Sequence, residues 1–223
     1  MIGKKETANA KWQAITAINI LLEPDETMFW YADLANDRLV KAYPQGFLFD
    51  LTHKPHITLL QRYVYKADIS KISATAKQIF ADRNISEWPL KAVGYDYSPW
   101  KQLGIAGIVI EPKSELLELQ EKLIKAVAPF TVRAGTAEAF YTTPESPDII
   151  MPTIDYVTNF VPQASGNHFN PHVTIGIAPQ EYLNKMLAEP FDTFSFSAAG
   201  ASIYHIGNFG TARKKISELS DTD

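Results

Sequence analysis

His56-Ile57-Thr58 and His172-Val173-Thr174 stand in opposite halves of a 223-residue chain. Each follows a proline and precedes an aliphatic residue, so the two stretches read Pro-His-Ile-Thr-Leu and Pro-His-Val-Thr-Ile. Side chains of an extended strand alternate between its faces. His56 and Thr58 therefore share one face against Ile57 and Leu59, and His172 and Thr174 repeat the arrangement against Val173 and Ile175. Each strand would bury its aliphatic face and present an imidazole and a hydroxyl. An imidazole, with an ordinary pKa of about 6.5, takes or gives a proton near neutrality. A threonine hydroxyl donates a hydrogen bond to a non-bridging phosphate oxygen, where negative charge sits. Two such pairs on one cleft would supply an acid, a base and two phosphate ligands. That set is enough for in-line attack on a phosphodiester without a metal. A cyclic phosphate suits it, because opening the ring relieves strain.

The elements that must hold these groups read as strand-helix-strand-helix-strand, given twice. Ala14–Leu22 patterns as a strand. Asp25 is a helix N-cap with the helix running to Ala42, and Pro44-Gln45-Gly46 stops it. The first motif opens a strand reaching Tyr65. Helical spacing follows from Ile69 to Asn84, then strands at Leu90–Tyr97 and Leu103–Ile110, the latter apolar on both faces like a central strand. Ser114 should cap a helix with the stripe Leu116, Leu119, Leu123 and Val127, and Glu118/Lys122 and Glu121/Lys125 pair on its wet side. The span 130–166 is loop-rich, with a short helix near Thr153–Val161, and reads as a substrate lid or an insertion. The second motif opens a strand, Gln180–Ala188 is helical and Phe194–Ile206 makes one or two strands. The near-identical wording of the two middle strands marks an internal duplication of one supersecondary unit. Residues 1–13 read as a polar N-terminal segment, 14–216 as the single domain and 217–223 as a frayed tail.

The two His-x-Thr motifs, each in an apolar strand and each after proline, resemble those of the two-histidine (2H) phosphoesterase superfamily, which holds bacterial 2'-5' RNA ligase-like proteins and cyclic phosphodiesterases. The resemblance implies a bilobal α+β fold of two pseudo-symmetric antiparallel sheets backed by helices, with a central cleft and a chain that crosses between lobes. It implies His56, Thr58, His172 and Thr174 as catalytic residues, with His172 as base and His56 as acid. The implied reaction is hydrolysis of a 2',3'-cyclic nucleotide or a cyclic phosphate at an RNA end, with no metal or organic cofactor. The alternatives are a 2'-5' RNA ligase or RNA-end processing enzyme using the same residues, and a non-catalytic nucleotide binder.

Other side chains carry weaker signals. One His-x-Thr alone would be an ordinary polar pair on a half-buried strand; the matched context carries the catalytic reading. Arg62 shares a face with His56 and Thr58 if the strand stays regular, so it is a candidate substrate-binding residue as well as a plain strand-end arginine. Arg213-Lys214-Lys215 reads as a solvated run. His168 reads as a loop residue, and His53 and His205 have no sequence partners. Phe49, Tyr63, Tyr141 and Phe169 are candidates for stacking on a nucleobase, and the sequence does not choose among them. No His-Glu-x-x-His occurs and no carboxylate stands at ligand spacing near either motif, so no metal site is expected.

Composition narrows the class. A net charge of −4 has the wrong sign for gripping a long nucleic acid, which needs a basic surplus. The chain has no cysteine, so it has no disulfide, thiolate nucleophile or Cys-based zinc site. Its longest apolar run is far shorter than the roughly twenty residues of a bilayer helix. The first thirteen residues lack the apolar core of a signal peptide. The expectation is a cytoplasmic monomer with no membrane partner, acting on a small nucleotide or an RNA end.

Overall fold

The computed structural model describes residues 14–220 apart from 51, 52, 82 and 145. The proposed N-terminal segment and the last three residues of the expected tail lie outside them. The strands are β1 (Ile15–Pro24), β2 (Ile57–Tyr65), β3 (Leu90–Trp100), β4 (Leu103–Ile110), β5 (Thr131–Val132), β6 (His172–Pro179), β7 (Phe194–Phe196), β8 (Ala198–Ile206) and β9 (Ala212–Glu218). The helices are α1 (Glu26–Ala42), α2 (Ile69–Phe80), α3 (Ser114–Val127), α4 (Met151–Ala164) and α5 (Gln180–Leu187). All strand pairings are antiparallel, in the order β7-β3-β4-β6-β2-β1-β8-β9, with β5 beside β2. The α+β class and the antiparallel sheet are as the resemblance implies. The two sheets are two halves of one nine-stranded sheet, β7-β3-β4-β6 and β2-β1-β8-β9 with β5 beside β2, joined at Ile57↔Val173.

The halves are not the halves of the sequence. β1 and β2 open the chain, but β3 leaves them to pair with β4, and β8 returns from the second repeat to pair with β1. Each half thus holds two strands of one repeat and the third strand of the other. Beneath both lies one continuous core, in which Ile57, Leu59, Val173 and Ile175 are fully buried with Leu39 of α1 and Leu119 of α3. A smaller apolar group around Tyr63, Phe140, Val157 and Ile206 fills the opposite face under part of α4.

Local chemistry explains most boundaries. Asp25 accepts from the Met28 amide at 3.2 Å, capping α1, and its other oxygen accepts from the Ser197 amide at 2.7 Å. Ser114 does not cap α3: it is the first helical residue, Lys113 stands at the cap, and the Ser114 hydroxyl bonds Glu115. Only Glu121/Lys125 of the two expected helix pairs closes as an ion pair among the described residues. α2 stops at Phe80, short of Asn84. The expected frayed end is strand as far as Glu218, and Leu219 is buried. β9 escaped the sequence reading because its Arg213-Lys214-Lys215 resembles a solvated run. It is an edge strand, where such charges are suited to an unpaired side.

Both middle strands carry the same irregularity. Opposite β1, Thr58 faces Leu21 and Leu60 faces Ile20, which leaves Leu59 as an extra residue. Opposite β4, Thr174 faces Gly107 and Gly176 faces Ala106, which leaves Ile175 extra. Each His-x-Thr motif therefore runs directly into a β-bulge, a device that bends a strand and re-aims the side chains beyond it. In β6 the bulge ends on Gly176 at φ +143°, where an added Cβ would lie 3.0 Å from Leu39 Cδ1 and 3.2 Å from Asn36 Nδ2. Gly176→Ala should cost about 1–3 kcal/mol in urea unfolding. Gly94→Ala, where a Cβ meets nothing within 4 Å, should be close to neutral. Equal effects of the two substitutions would contradict this account of the bulge.

Candidate active site

β2 and β6 meet only at their beginnings. With Ile57 opposite Val173 in antiparallel register, the adjacent positions set His56 across from Thr174 and Thr58 across from His172. Ile57 and Val173 are completely buried beneath the sheet, so their four neighbours point to the other side. Directly opposed residues of an antiparallel pair have Cβ atoms about 5 Å apart. The four polar side chains accordingly line one cavity of about 260 Å³.

Both imidazoles are oriented in the same way. His56 Nδ1 lies 2.8 Å from the Lys54 carbonyl oxygen, and His172 Nδ1 lies 2.8 Å from that of Asn170. A carbonyl only accepts, so each neutral ring carries its proton on Nδ1 and leaves Nε2 free for chemistry. Lys54 and Asn170 each precede a proline, which confines them to extended backbone and so fixes the carbonyl that the ring two residues on must reach. That is the physical content of the repeated Pro-His. Gly107 supplies room beside His172: a Cβ there would approach His172 Cδ2 to 3.2 Å.

Thr58 is held from behind. Asn19, fully buried on β1, donates from Nδ2 to Thr58 Oγ1 at 3.0 Å, which leaves the threonine O–H free for an acceptor in the cavity. Burial pushes the pKa of His56 down to about 4, and the neighbouring His172 pushes the same way; the Lys54 carbonyl bond and the more distant Glu23 carboxylate oppose it. His56 keeps some solvent access, yet its ring sits among enough protein atoms to be held neutral. Burial alone would raise the Glu23 carboxyl, but bonds from Lys215 and Tyr204 outweigh it and hold it below the usual carboxylate range.

Arg62 is not in this cavity. The bulge at Leu59 breaks the alternation on which its placement depended. Leu59 and Leu60 both join the core below, and Gln61 takes the cavity side. Gln61 is 2% exposed, and its Oε1 has no hydrogen-bond partner among the described residues. The basic run is not simply solvated either. Arg213 donates to His53 Nε2 at 2.6 Å beside a second cavity of about 530 Å³, and Lys215 pairs with Glu23 at 2.9 Å. His168 is exposed, and His205 bonds Thr16, away from the motifs.

The aromatic lining was not legible as expected. Tyr63 and Phe169 are core, Phe49 packs against the core and Tyr141 lies along His205. Trp100, Tyr156 and Phe209 line the cavity instead. Trp100 ends β3 at the hairpin into β4 and meets Phe209 edge-on at 5.3 Å between centroids. Phe209 sits at φ 57° in a turn flanked by Gly207 and Gly210. Thr153 at the start of α4 braces that turn, donating to Asn208 Oδ1 at 3.1 Å and accepting from the Phe209 amide at 3.0 Å. The stretch 130–166 therefore contributes a fixed wall through α4, longer than the expected short helix. A glycine-flanked phenylalanine and an aromatic at a strand end were the available sequence signals; their distance from the motifs concealed them.

Among the described residues no group of three or more His, Cys, Asp or Glu is arranged to hold a metal ion, and no helix is long and apolar enough to cross a membrane. No protein-family model and no curated protein matches the chain. Among solved structures it is similar to Kluyveromyces marxianus Usb1, at 11% identity and TM-score 0.45 over 95% of this chain and 100% of that one. It is also similar to E. coli LigT complexed with 3'-AMP, at 12% identity and TM-score 0.42 over 94% and 99% of the two chains. The Kluyveromyces marxianus Usb1 structure with uridine monophosphate gives 12% identity and TM-score 0.43 over 92% and 98%.

The state of His56 has a consequence for stability. Its folded pKa lies below the unfolded value, so the unfolded chain takes up the proton first as pH falls. The contribution is complete above about pH 6.5 and is lost progressively toward pH 4, by about 1–3 kcal/mol. Urea unfolding between pH 7 and pH 4 should show this loss, and His56→Gln should flatten it. An unchanged slope in the variant would mean that His56 is not held neutral.

Proposed function

We propose that the chain is a metal-independent phosphodiesterase of the two-histidine kind, hydrolysing a cyclic phosphate on a nucleotide or at an RNA end. The observation that carries this reading is the meeting of both His-x-Thr motifs on one cavity, each imidazole fixed through Nδ1 with its Nε2 left for proton transfer. The aromatic wall of Trp100, Tyr156 and Phe209 suits a nucleobase, and the small cavity with a net charge of −4 suits a short ligand over a long polyanion.

Water attacks phosphorus while a histidine Nε2 takes its proton. The bond from phosphorus to one ribose oxygen breaks, and the other histidine gives that oxygen a proton, leaving a monoester. Thr58 and Thr174 donate to the non-bridging oxygens. One histidine serves as base and the other as acid, and burial keeps His56 in the neutral form before the reaction. Both rings end in the opposite protonation state and exchange their proton with water before the next turnover.

His56→Ala and His172→Ala should each lower kcat/KM for 2',3'-cyclic mononucleotides by roughly 10²–10⁴-fold. The profile of kcat/KM against pH should be bell-shaped, with its acid limb well below the ordinary imidazole value of about 6.5 and nearer to 4. EDTA should leave the rate unchanged. Full activity in either alanine variant, or tight nucleotide binding without turnover at any pH, would defeat the proposal.

A further inference from the structure

Two buried carboxamides occupy equivalent places in the two repeats. Asn36 lies on α1, the first helix of the first repeat, and is fully buried. Its Nδ2 donates to the carbonyl of Ile175 at 2.8 Å and to that of Phe47 at 2.9 Å, and its Oδ1 accepts from the Phe49 amide at 3.1 Å. Gln120 lies on α3, the first helix of the second repeat, and is 1% exposed. Its Nε2 donates to the carbonyl of Leu59 at 3.1 Å and to that of Ala164 at 2.9 Å, and its Oε1 accepts from the Gly166 amide at 3.3 Å.

The partners correspond one to one. Ile175 and Leu59 are the two bulge residues, each next to the threonine of a His-x-Thr motif. A bulge leaves its extra residue without a ladder partner, and a buried unpaired carbonyl is costly. Each amide supplies that missing partner. The connection is crossed: the first repeat's helix satisfies the bulge behind His172 and Thr174, and the second repeat's helix satisfies the bulge behind His56 and Thr58. The remaining bonds of each amide tie down the segment leading into the motif of its own repeat.

We infer that Asn36 and Gln120 are positioning residues of the two-histidine site, Asn36 setting the His172–Thr174 strand and Gln120 setting the His56–Thr58 strand. Neither amide touches the cavity. Each fixes where a strand bends, and the bend fixes where an imidazole and a hydroxyl stand relative to the pair on the other strand. An apolar residue of similar size leaves the helix in place but frees the bulge carbonyl, so the strand can slide or straighten. A misplacement of about 1 Å in such a constellation costs up to about 10²-fold in rate.

The experiment compares Asn36→Leu with Gln120→Leu by NMR of the imidazole ring and threonine methyl signals, under conditions where circular dichroism shows the fold intact. Asn36→Leu should move the His172 and Thr174 signals more than those of His56 and Thr58, and Gln120→Leu should do the reverse. In 2',3'-cyclic nucleotide hydrolysis both should lower kcat by about 10–100-fold with KM changed less than about threefold. If the leucine variants do not fold, Asn36→Asp and Gln120→Glu keep the shape and the accepting oxygen while removing the donations, and should give the same crossed pattern. Lowered melting temperature with all four signals unmoved would reduce the amides to structural roles and overturn the inference. Equal movement on both strands would overturn the crossed assignment. The kinetic arm rests on the phosphodiesterase reading, whereas the NMR arm does not, so absence of turnover with a crossed NMR pattern would sink that reading and leave the positioning intact.

Discussion

The site depends on one short contact between two strands. Among the described residues, β2 and β6 are joined in the sheet at Ile57↔Val173 alone, and both side chains at that contact are driven completely out of water. Burial of two β-branched residues under the helices gives the contact a fixed up and down. The histidine before and the threonine after each of them then have no choice of face. A slip of one residue in either strand would bury an imidazole and a hydroxyl in the core and expose the aliphatic pair, which the hydrophobic cost forbids. The chemistry of the cleft is thus a by-product of how its floor is packed.

Around this contact the two repeats are interlocked, not merely adjacent. The third strand of each repeat lies in the half built by the other, and the buried amide of each first helix reaches the bulge of the other's middle strand. Neither half can be displaced without breaking bonds that belong to both. If the two histidines act as proposed, a pair drawn from remote parts of the chain needs such coupling, because proton transfer tolerates little error in the placement of either group. The other walls obey a similar logic. The Asn208–Gly210 turn is bolted to the start of α4 by Thr153, so Phe209 and Tyr156 face the cavity from supports that hold each other.

The elements were largely legible because their signals are local. Alternation in Ala14–Leu22, the Asp25 cap and the leucine stripe of α3 need only nearest neighbours and solvent to act. The misplacements share a cause: they depend on partners far along the chain. Arg62 shares the motif face only if alternation is unbroken, but the bulge at Leu59, set by how β1 opposes Thr58 and Leu60, breaks it. The charged start of β9 reads as solvated until β8 offers an edge and Glu23 a counter-charge for Lys215. Trp100 and Phe209 are unremarkable in sequence and acquire meaning only where hairpin and turn meet.

The amino-acid sequence by itself determined which chemistry was on offer: two imidazoles and two hydroxyls, each pair on one face of an aliphatic strand, and a proline ahead of each to fix the backbone. These follow from side-chain type and strand periodicity, which operate over a few residues. Tertiary structure alone decided that the pairs share a cavity, which ring burial holds neutral, which aromatics wall the site and which arginine stays out of it. Those outcomes turn on register, bulges and desolvation, and each of these is set by atoms contributed from the opposite repeat.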